Sequence, residues 1–433
     1  MMLRPDESLR WDVLEDHLDE ACFLWTQWES GLHSPLYTLG ELSRGDEARL
    51  KAHLKALAMG GRRVSERLLV PALGEEDGER LWTASYVLLM EGEGENVDTV
   101  LQDFTEVAEL RPPFARALAL SDRPGLSKRL YPLLATEDPE LLAATVEILA
   151  FRRATPVEAF SKLYWHEAPR VRAGALRAAC THGTPVEGEA LWQALQSRNS
   201  ALRAAGLTLG LIRSAPEAFA TCSQWSDERD EAGQLARMAL ASGGDPGQLQ
   251  HLIRLLEVPH LRKDVLWALG FSGQVVAAEA CLPWLGDPAF AGVAAEAFCG
   301  VTGLALEGKY RAERAQDSSD DDGGLEAPDP DRELPRPVPE AIERWWGENR
   351  KRFDKQKRYL SGRAFSQDVL LDALWNAPMR RRPVLAWELA IRTQGQHQVE
   401  VSDFSRMQAH QLEQAAAARG QFRAGPFLTW MRH

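Results

Sequence analysis

The chain has 433 residues, of which 45% are hydrophobic and 26% are charged, and its formal net charge is −13. This composition is typical of a globular protein with a large core. The acidic balance argues against nucleic acid as a partner, because phosphate contacts need a basic surface. Arg, Gly or Pro interrupts the apolar runs well before the ~20 residues that a membrane-spanning helix needs, so we expect no membrane insertion.

The cysteines and the N-terminal sequence indicate the cellular compartment in which the protein folds. The five cysteines, Cys22, Cys180, Cys222, Cys281 and Cys299, show no C-x-x-C spacing. The N-terminal sequence is acidic and lacks the apolar core of a signal peptide. Free core thiols in a reducing compartment fit this pattern, and we expect a cytoplasmic protein.

Residues 1–60 are predicted to form a helical cap. One face of the first predicted helix carries Trp11, Leu14, Leu18, Cys22 and Trp25. Such spacing indicates an amphipathic helix. A cap is expected here because the end of a stack of repeats needs a covered or polar face.

Residues 61–306 repeat with a period of about thirty residues. The repeats align at Pro139, Pro169, Ser200, Glu231, Pro259 and Pro288, which gives steps of 30, 31, 31, 28 and 29 residues. An Ala-rich stretch follows each of these positions, and its apolar residues fall on one helical face. Another amphipathic stretch precedes each position. The pattern predicts an all-α solenoid of about seven or eight helix pairs.

The sequence after residue 306 changes character twice. Residues 307–340 are rich in Asp, Pro and Gly, and this composition predicts a flexible acidic linker. Residues 341–433 begin with a basic stretch and then return to helical periodicity. They are predicted to form a small C-terminal helical unit.

The repeat strings resemble a known class. PRVRAGALRAA, SALRAAGLTLG and PHLRKDVLWALG are similar to the second helix of HEAT repeats, with Arg172, Arg203 and Arg262 in the arginine position of that motif. The resemblance implies a HEAT-like solenoid in which these arginines form a structural ladder with carboxylates of the turns. It implies nothing specific about function.

The flanking sequences extend this resemblance. EDHLDEACFLWTQWES near the N-terminus, with WW, KRYLSG and RRPVLAWELAIRT in the C-terminal part, is similar to an uncharacterised bacterial family of HEAT-repeat proteins. Members occur in proteobacteria such as myxobacteria and pseudomonads, often beside type VI secretion genes. The resemblance implies no catalytic motif, and the link to secretion rests on gene neighbourhood.

The sequence offers little to support catalysis or metal binding. His166–Glu167 is the only His-Glu pair, whereas a di-iron HEAT enzyme needs several, so a polar turn before Pro169 is the favoured interpretation. No zinc spacing occurs. Cys180 lies on a buried helical offset and is interpreted as a core thiol. We therefore predict no catalytic residue, no metal ligand and no cofactor.

The second helix of each repeat also carries small or apolar residues away from its core stripe. These positions are Ala175, Ala178, Gly206, Leu209, Ala239, Ala268, Ala294 and Ala297. A helix that is apolar all round is normally covered. Three coverings are possible: the solenoid itself, the C-terminal unit of this chain, or a partner protein in a concave groove.

Trp345 and Trp346 stand side by side at the start of the C-terminal unit. Adjacent helical residues point about 100° apart, so one can pack inward while the other contacts a partner. Both are candidate exposed contacts, although both can equally anchor the C-terminal unit.

These observations favour a non-catalytic scaffold or adaptor that binds another protein, with a chaperone, adaptor or immunity role in type VI secretion as one setting. The alternative is a HEAT-fold enzyme, such as a DNA glycosylase-like or lyase-like protein. A cationic cleft with a carboxylate and aromatic residues would favour the enzyme, and an apolar groove with a polar rim would favour the adaptor.

Overall fold

The protein is predominantly helical in the part of the chain that the structure describes. The computed structural model describes residues 9–91, 94–183, 185–313, 331, 333–418, 420 and 422–431. Within these residues one antiparallel pair of two-residue strands occurs, β1 (Tyr359–Leu360) and β2 (Arg363–Ala364). The predicted all-α, HEAT-like class is confirmed. In the same ranges no helix has both the length and the apolar character needed to cross a membrane.

The chain forms two compact units. Unit 1 comprises Met1–Leu32, Leu39–Ala190 and Ser402–Ala409, and unit 2 comprises His33–Thr38, Leu191–Val401 and His410–His433. Each unit therefore combines residues from distant parts of the sequence.

The first helices of the chain belong to unit 1. They are α1 (Trp11–Gly31), α2 (Leu39–Arg44), α3 (Asp46–Met59), α4 (Gly61–Val64), α5 (Val70–Ala72), α6 (Gly78–Glu91), α7 (Gly94–Glu106), α8 (Arg111–Leu120), α9 (Leu126–Leu130), α10 (Pro139–Phe151), α11 (Val157–Leu163) and α12 (Pro169–His182). A π-helical turn, Ser65–Leu69, connects α4 to α5.

The remaining helices follow in chain order. They are α13 (Gly188–Leu195), α14 (Ser200–Ile212), α15 (Pro216–Trp225), α16 (Glu231–Gly243), α17 (Pro246–Arg254), α18 (Arg262–Leu269), α19 (Val275–Cys281), α20 (Ala291–Thr302), α21 (Pro339–Asn349), α22 (Gln367–Asn376), α23 (Arg382–Arg392) and α24 (Ser405–Ala417).

Turn carboxylates and amides start the second helix of several repeats. The Asp138 carboxylate accepts a hydrogen bond from Glu140 N at 2.9 Å, and Pro139 occupies the first position of α10, where no N–H is needed. Asn199 caps α14 and Asp230 caps α16 in the same way. These caps fix the helix starts, because each satisfies a donor that has no partner within its helix.

Arginine–aspartate pairs 27 residues apart connect successive repeats inside each unit. The pairs are Arg111 with Asp138 in unit 1, and Arg203 with Asp230 and Arg237 with Asp264 in unit 2. Arg203 thus has the predicted ladder role. Arg262 instead donates Nε to the Leu256 carbonyl at 2.8 Å and lies over the Trp284 ring.

The predicted cap sequence forms α1, α2 and α3, and α1 and α3 pack on α6 within unit 1. Trp25 of α1 stacks on Trp82 of α6 with ring centroids 3.4 Å apart. Trp28 donates its indole N–H to the buried carboxylate of Glu47 at 3.1 Å. Aromatic packing and a satisfied buried acid therefore hold these helices together.

Both ends of the predicted linker are described. Ala312 N donates to the Arg336 carbonyl, and Val338 N donates to the Tyr310 carbonyl, each at 2.9 Å. Leu334 is buried against Gly292 of α20. These hydrogen bonds bring the two ends of the linker together within unit 2. The linker residues 314–330 and 332, which carry most of its acidic sequence, lie outside the described residues.

Candidate binding groove

Helices α8 and α10 of unit 1 lie side by side and run in the same direction. At their N-terminal ends, Arg111 Nη2 lies 3.2 Å from the Asp138 carboxylate. At their C-terminal ends, Arg152 Nη1 donates to the Leu118 carbonyl at 3.0 Å and also to the Ser121 carbonyl. Because an arginine connects each pair of like ends, the two helices are parallel.

A groove with a volume of about 470 Å³ lies along these two helices. Its apolar surface consists of Ala108, Pro112, Ala115, Ala119, Ala144, Ile148 and Phe151. Ala108 lies in the turn before α8, and the other residues recur every three or four positions on α8 and on α10, so each helix presents one face. Along α10 the lining runs from Glu140 to Phe151, which is three turns or about 16 Å at about 1.5 Å per residue.

Charged side chains border the apolar surface, and the two helices contribute opposite signs. Arg111 and Arg116 come from α8, and Glu140 and Glu147 come from α10. Arg170 of α12 forms ion pairs with both glutamates, at 3.5 Å in the case of Glu147. The groove therefore has an apolar floor and a rim of charged pairs.

Arg116 is fixed at the groove by contacts from two distant parts of unit 1. Its Nε donates to the Glu29 carboxylate at 2.8 Å, and its Nη2 donates to the Ser402 carbonyl at 2.6 Å. Its guanidinium also lies 5.6 Å from the centre of the Phe151 ring, within the range of a cation–π interaction. The cap helix and the C-terminal residues thus hold this side chain in position.

The positions that sequence analysis proposed for a groove are buried within the chain. They are Ala175 and Ala178 in unit 1, and Gly206, Leu209, Ala239, Ala268, Ala294 and Ala297 in unit 2. Helix-to-helix packing explains several of them. A Cβ on Gly206 would lie 3.0 Å from the Ala194 side chain, and Ala297 lies against Gly270. A partner therefore has no access to these residues in this structure.

The C-terminal residues of unit 2 cover the ends of its second helices. Arg381 donates to the Gly270 carbonyl at 2.9 Å, and Arg358 donates to the Phe271 carbonyl at 2.7 Å. Arg392 donates to the Ser242 carbonyl at 2.8 Å. Carbonyls at a helix C-terminus lack partners in the helix and carry partial negative charge, so arginines are well suited to bind them.

Glu388 connects two of these arginines. It accepts hydrogen bonds from Arg358 Nη2 at 2.9 Å and from Arg392 Nε at 2.6 Å, and it is 1% exposed. Burial alone would raise the pKa of Glu388, but the charges of Arg358 and Arg392 more than offset this and hold the pKa below its usual range. The ionised carboxylate is thus part of the packing of the C-terminal residues.

Glu296 of α20 is a buried acid with a different environment. Its carboxylate oxygens accept no hydrogen bond among the described residues, and the nearest guanidinium nitrogen, Arg380 Nη1, is 3.6 Å away. Burial raises the pKa of Glu296, and Arg381 and Arg380 offset this only in part. Its charge is less well compensated than that of Glu388.

The two adjacent tryptophans lie against the solenoid helix α20. Trp346 is 7% exposed, and its ring centre is 5.4 Å from that of Phe298. Trp345 is half-buried and also contacts Phe298 edge-on, at 6.1 Å. Trp346 is therefore an anchor of unit 2 and not an exposed contact, while Trp345 retains partial exposure.

The cysteines and His166 are placed as structural residues. Burial raises the pKa of Cys281 and of Cys299 to about 12, which disfavours the reactive thiolate. His166 Nδ1 accepts a hydrogen bond from Ala168 N at 3.0 Å, in the turn before α12. Among the described residues no group of three or more His, Cys, Asp or Glu side chains is arranged to hold a metal ion.

The residues of the observed groove were not predicted from the sequence. The signals were present in PPFARALAL and LLAATVEILA, where small residues recur at helical spacing beside Glu140 and Glu147. The same spacing occurs in the later repeats, where the positions are buried. Small residues alone therefore do not distinguish an open face from a packed one.

Comparison with known proteins identifies no family for the chain. No protein-family model matches the chain, and no curated protein matches it in sequence. Among solved structures, Escherichia coli YibA shares 14% identity over 57% of this chain and 96% of its own, with a TM-score of 0.40. Human deoxyhypusine hydroxylase in complex with glycerol shares 15% over 66% of this chain and 97% of its own, with a TM-score of 0.22. Both are HEAT-repeat-like helical proteins.

Proposed function

We propose that this protein is a non-catalytic scaffold or adaptor, and that the groove along α8 and α10 binds a segment of a partner protein. The observation that carries the proposal is the pairing of an apolar floor with a charged rim. Buried apolar area supplies affinity in protein interfaces, and polar residues at the rim supply specificity.

The charges of the groove favour a protein over a nucleic acid. Arg111 pairs with Asp138, Arg116 pairs with Glu29, and Arg170 pairs with both glutamates of the rim. Phosphate binding instead needs an excess of cationic side chains, whereas each of these guanidinium groups is balanced by at least one carboxylate. The net charge of −13 also disfavours binding to nucleic acid.

The proposal excludes catalysis at this groove. Its lining has no His, Cys, Ser or Thr, so the carboxylates of Glu140 and Glu147 are its candidate bases or nucleophiles. A glycosylase-like or lyase-like activity would need a carboxylate that is free to act on a substrate. Glu140 and Glu147 are instead engaged with Arg170.

The cellular setting is part of the proposal and rests on sequence resemblance alone. The resemblance to bacterial HEAT-repeat proteins encoded beside type VI secretion genes suggests a cytoplasmic adaptor, chaperone or immunity protein in that system. The partner would then be a component or cargo of the secretion apparatus.

Filling the groove tests the proposal. Ala115 is half-buried at the middle of the floor, so Ala115→Trp should occupy the groove with little effect on the fold. The tagged full-length protein is used to capture partners from its own cells, which are identified by mass spectrometry and then purified. We expect the affinity of a groove-bound partner to fall at least about tenfold in Ala115→Trp, roughly 1.4 kcal/mol.

Ala56→Trp is the matched control, because Ala56 is also a half-buried helical alanine of unit 1 and lies outside the groove. It should retain wild-type affinity. Equal affinity of the wild type and Ala115→Trp for every captured partner, with unchanged helical content, would reject the groove as the binding site.

A further inference from the structure

We infer that the groove binds an amphipathic α-helix of about three turns, with acidic residues along one edge and basic residues along the other. This inference rests on the proposed function and specifies its ligand. It follows from three properties of the groove: its backbone chemistry, its dimensions and the charges of its two walls.

Backbone chemistry favours a helix over an extended peptide. Both walls are helical faces whose backbone groups are used within α8 and α10, and the floor between them is apolar. An extended peptide on this floor would leave its own N–H and C=O groups without partners, which is costly when they are buried. A helix satisfies these groups internally.

The dimensions also fit a helix. The groove runs along α8 and along three turns of α10, and the small side chains of Ala115, Ala119 and Ala144 leave room at its centre. Small residues allow helix axes to approach to about 8 Å. Ile148 and Phe151 provide larger apolar contacts toward the C-terminal end.

The charges of the walls define the edges of the ligand. On the α8 wall, Arg111 and Arg116 use Nε and Nη2 for the contacts described above, and in the described part of the chain Nη1 of each makes no hydrogen bond. On the α10 wall, Glu140 is exposed and Glu147 is half-buried, and the two lie two helical turns apart. Arg170 pairs with both, so this side of the lining has two carboxylates and one guanidinium. A helix with acids facing α8 and bases facing α10 complements both walls.

Peptide binding tests this inference directly. Sixteen-residue helical peptides are selected from a displayed library with randomised apolar stripe positions, using full-length protein and rejecting peptides that also bind Ala115→Trp. Three peptides that carry the best apolar stripe are then synthesised. The mixed peptide has acidic residues along one edge and basic residues along the other, and the two uniform peptides have both edges acidic or both edges basic. We expect the mixed peptide to bind about tenfold more tightly than either uniform peptide, because it alone opposes both walls favourably.

A charge reversal on the protein gives the matched test. In Glu147→Lys the α10 wall loses an acidic group and gains a basic one, so the peptide with two acidic edges should overtake the mixed peptide. Glu158→Lys, on the exposed surface of α11 outside the groove, should leave the order of the three peptides unchanged.

Each contrary outcome has a separate meaning. If a mixed peptide that is interrupted by proline binds as tightly as the uninterrupted mixed peptide, the ligand is extended and the inference is overturned. Equal affinities for all three peptides would overturn the assignment of charged edges. If no peptide binds while Ala115→Trp still loses the natural partner, the helical ligand is rejected and the groove remains the binding site. If the natural partner is unaffected by Ala115→Trp, the proposed function itself fails.

Discussion

The second helices of the repeats have similar small residues in both units, but they are used differently. In unit 1, α8 and α10 leave Ala115 and Ala119 half-buried beside a groove. In unit 2, the faces of α18 and α20 are fully buried, with Ala268 and Ala297 both 0% exposed. One sequence pattern thus produces an open surface at α8 and α10 and a buried face at α12, α18 and α20.

In unit 2 the C-terminal residues also cover the ends of these helices. The Phe427 ring lies against Gly243 at the end of α16, and the Arg381 guanidinium lies against Gly300 of α20. Gln394 also donates to the Ser214 hydroxyl, just after α14, at 2.8 Å. The chain therefore supplies its own covering for these helices, which is one of the three coverings that the sequence left open.

Unit 1 also receives C-terminal residues, but they contact the cap helices. The Ser405 backbone N–H and hydroxyl both donate to the Glu47 carboxylate, at 2.9 and 2.6 Å. The Ser402 carbonyl holds Arg116 at the edge of the groove. These contacts position one end of the groove and leave its floor open.

The largest expected effect on the free energy of unfolding comes from placing a charge on a buried helical face, compared with the same change on the open face of the groove. Ala268 and Ala178 are at most 1% exposed, so Ala268→Glu and Ala178→Glu should each lower the free energy of unfolding by several kcal/mol, about the cost of burying an unpaired charge. Ala115→Glu faces the groove and should cost less than about 1 kcal/mol. Thermal and urea unfolding followed by circular dichroism measures all three.

Comparable losses in Ala115→Glu and Ala178→Glu would contradict the distinction, because both alanines lie in unit 1. A small loss in Ala268→Glu would instead mean that the covering of unit 2 opens at little cost.

The repeat architecture was predictable because its determinants are local. The anchors at Pro139, Pro169, Ser200 and Glu231 coincide with the first residues of α10, α12, α14 and α16. Pro and capping residues fix a helix start within a few residues, so sequence alone locates it. At Pro259 and Pro288 the helices begin three residues later, at Arg262 and Ala291, because both prolines lie in the preceding turn.

The use of each helical face was not predictable, because it depends on residues far away in sequence. Arg381 covers Gly300 from 81 positions further along the chain, and Arg392 contacts Ser242 from 150 positions away. A repeat whose small-residue face is buried and a repeat whose small-residue face is open to solvent have the same local sequence pattern. The arginine ladder shows the same limit, since Arg237 pairs with Asp264 although it lies outside the arginine position of the repeat motif.

The next largest effect concerns the ion pairs that hold the C-terminal covering of unit 2. Glu388→Gln leaves Arg358 and Arg392 buried without their shared counter-charge, and it should lower the free energy of unfolding by about 3–5 kcal/mol. Glu296→Gln is the matched control, because Glu296 accepts no hydrogen bond in the described structure, and it should cost about 1 kcal/mol or less. Equal losses would show that hydrogen bonding to Glu388 is not what stabilises the covering.

The pH dependence of Glu388→Gln follows from its lowered pKa. A carboxylate whose pKa is lower in the folded state contributes stability above the usual glutamate pKa, and this contribution is lost as the pH falls through the folded-state pKa. The difference in unfolding free energy between wild type and Glu388→Gln should therefore be largest near neutral pH and should shrink in acid. A difference that stays constant from pH 7 to pH 3 would contradict the role of the ionised carboxylate.

The smallest expected effect comes from disturbing a single contact of the covering, the one between Phe427 and Gly243. A Cβ on Gly243 would lie 2.1 Å from the Phe427 ring, so Gly243→Ala must displace the ring or the helix end, at a cost of about 1–3 kcal/mol. Gly286→Ala is the control, because nothing lies within 4 Å of its Cβ position and its backbone does not require glycine. It should be neutral or slightly stabilising, by less than about 1 kcal/mol.

Hydrogen exchange adds a local measurement at the same contact. Displacement of Phe427 should increase exchange at the Met431 amide, which donates a hydrogen bond to the Phe427 carbonyl at 3.0 Å. If Gly243→Ala matches Gly286→Ala in both stability and exchange, Phe427 is not part of the covering of unit 2.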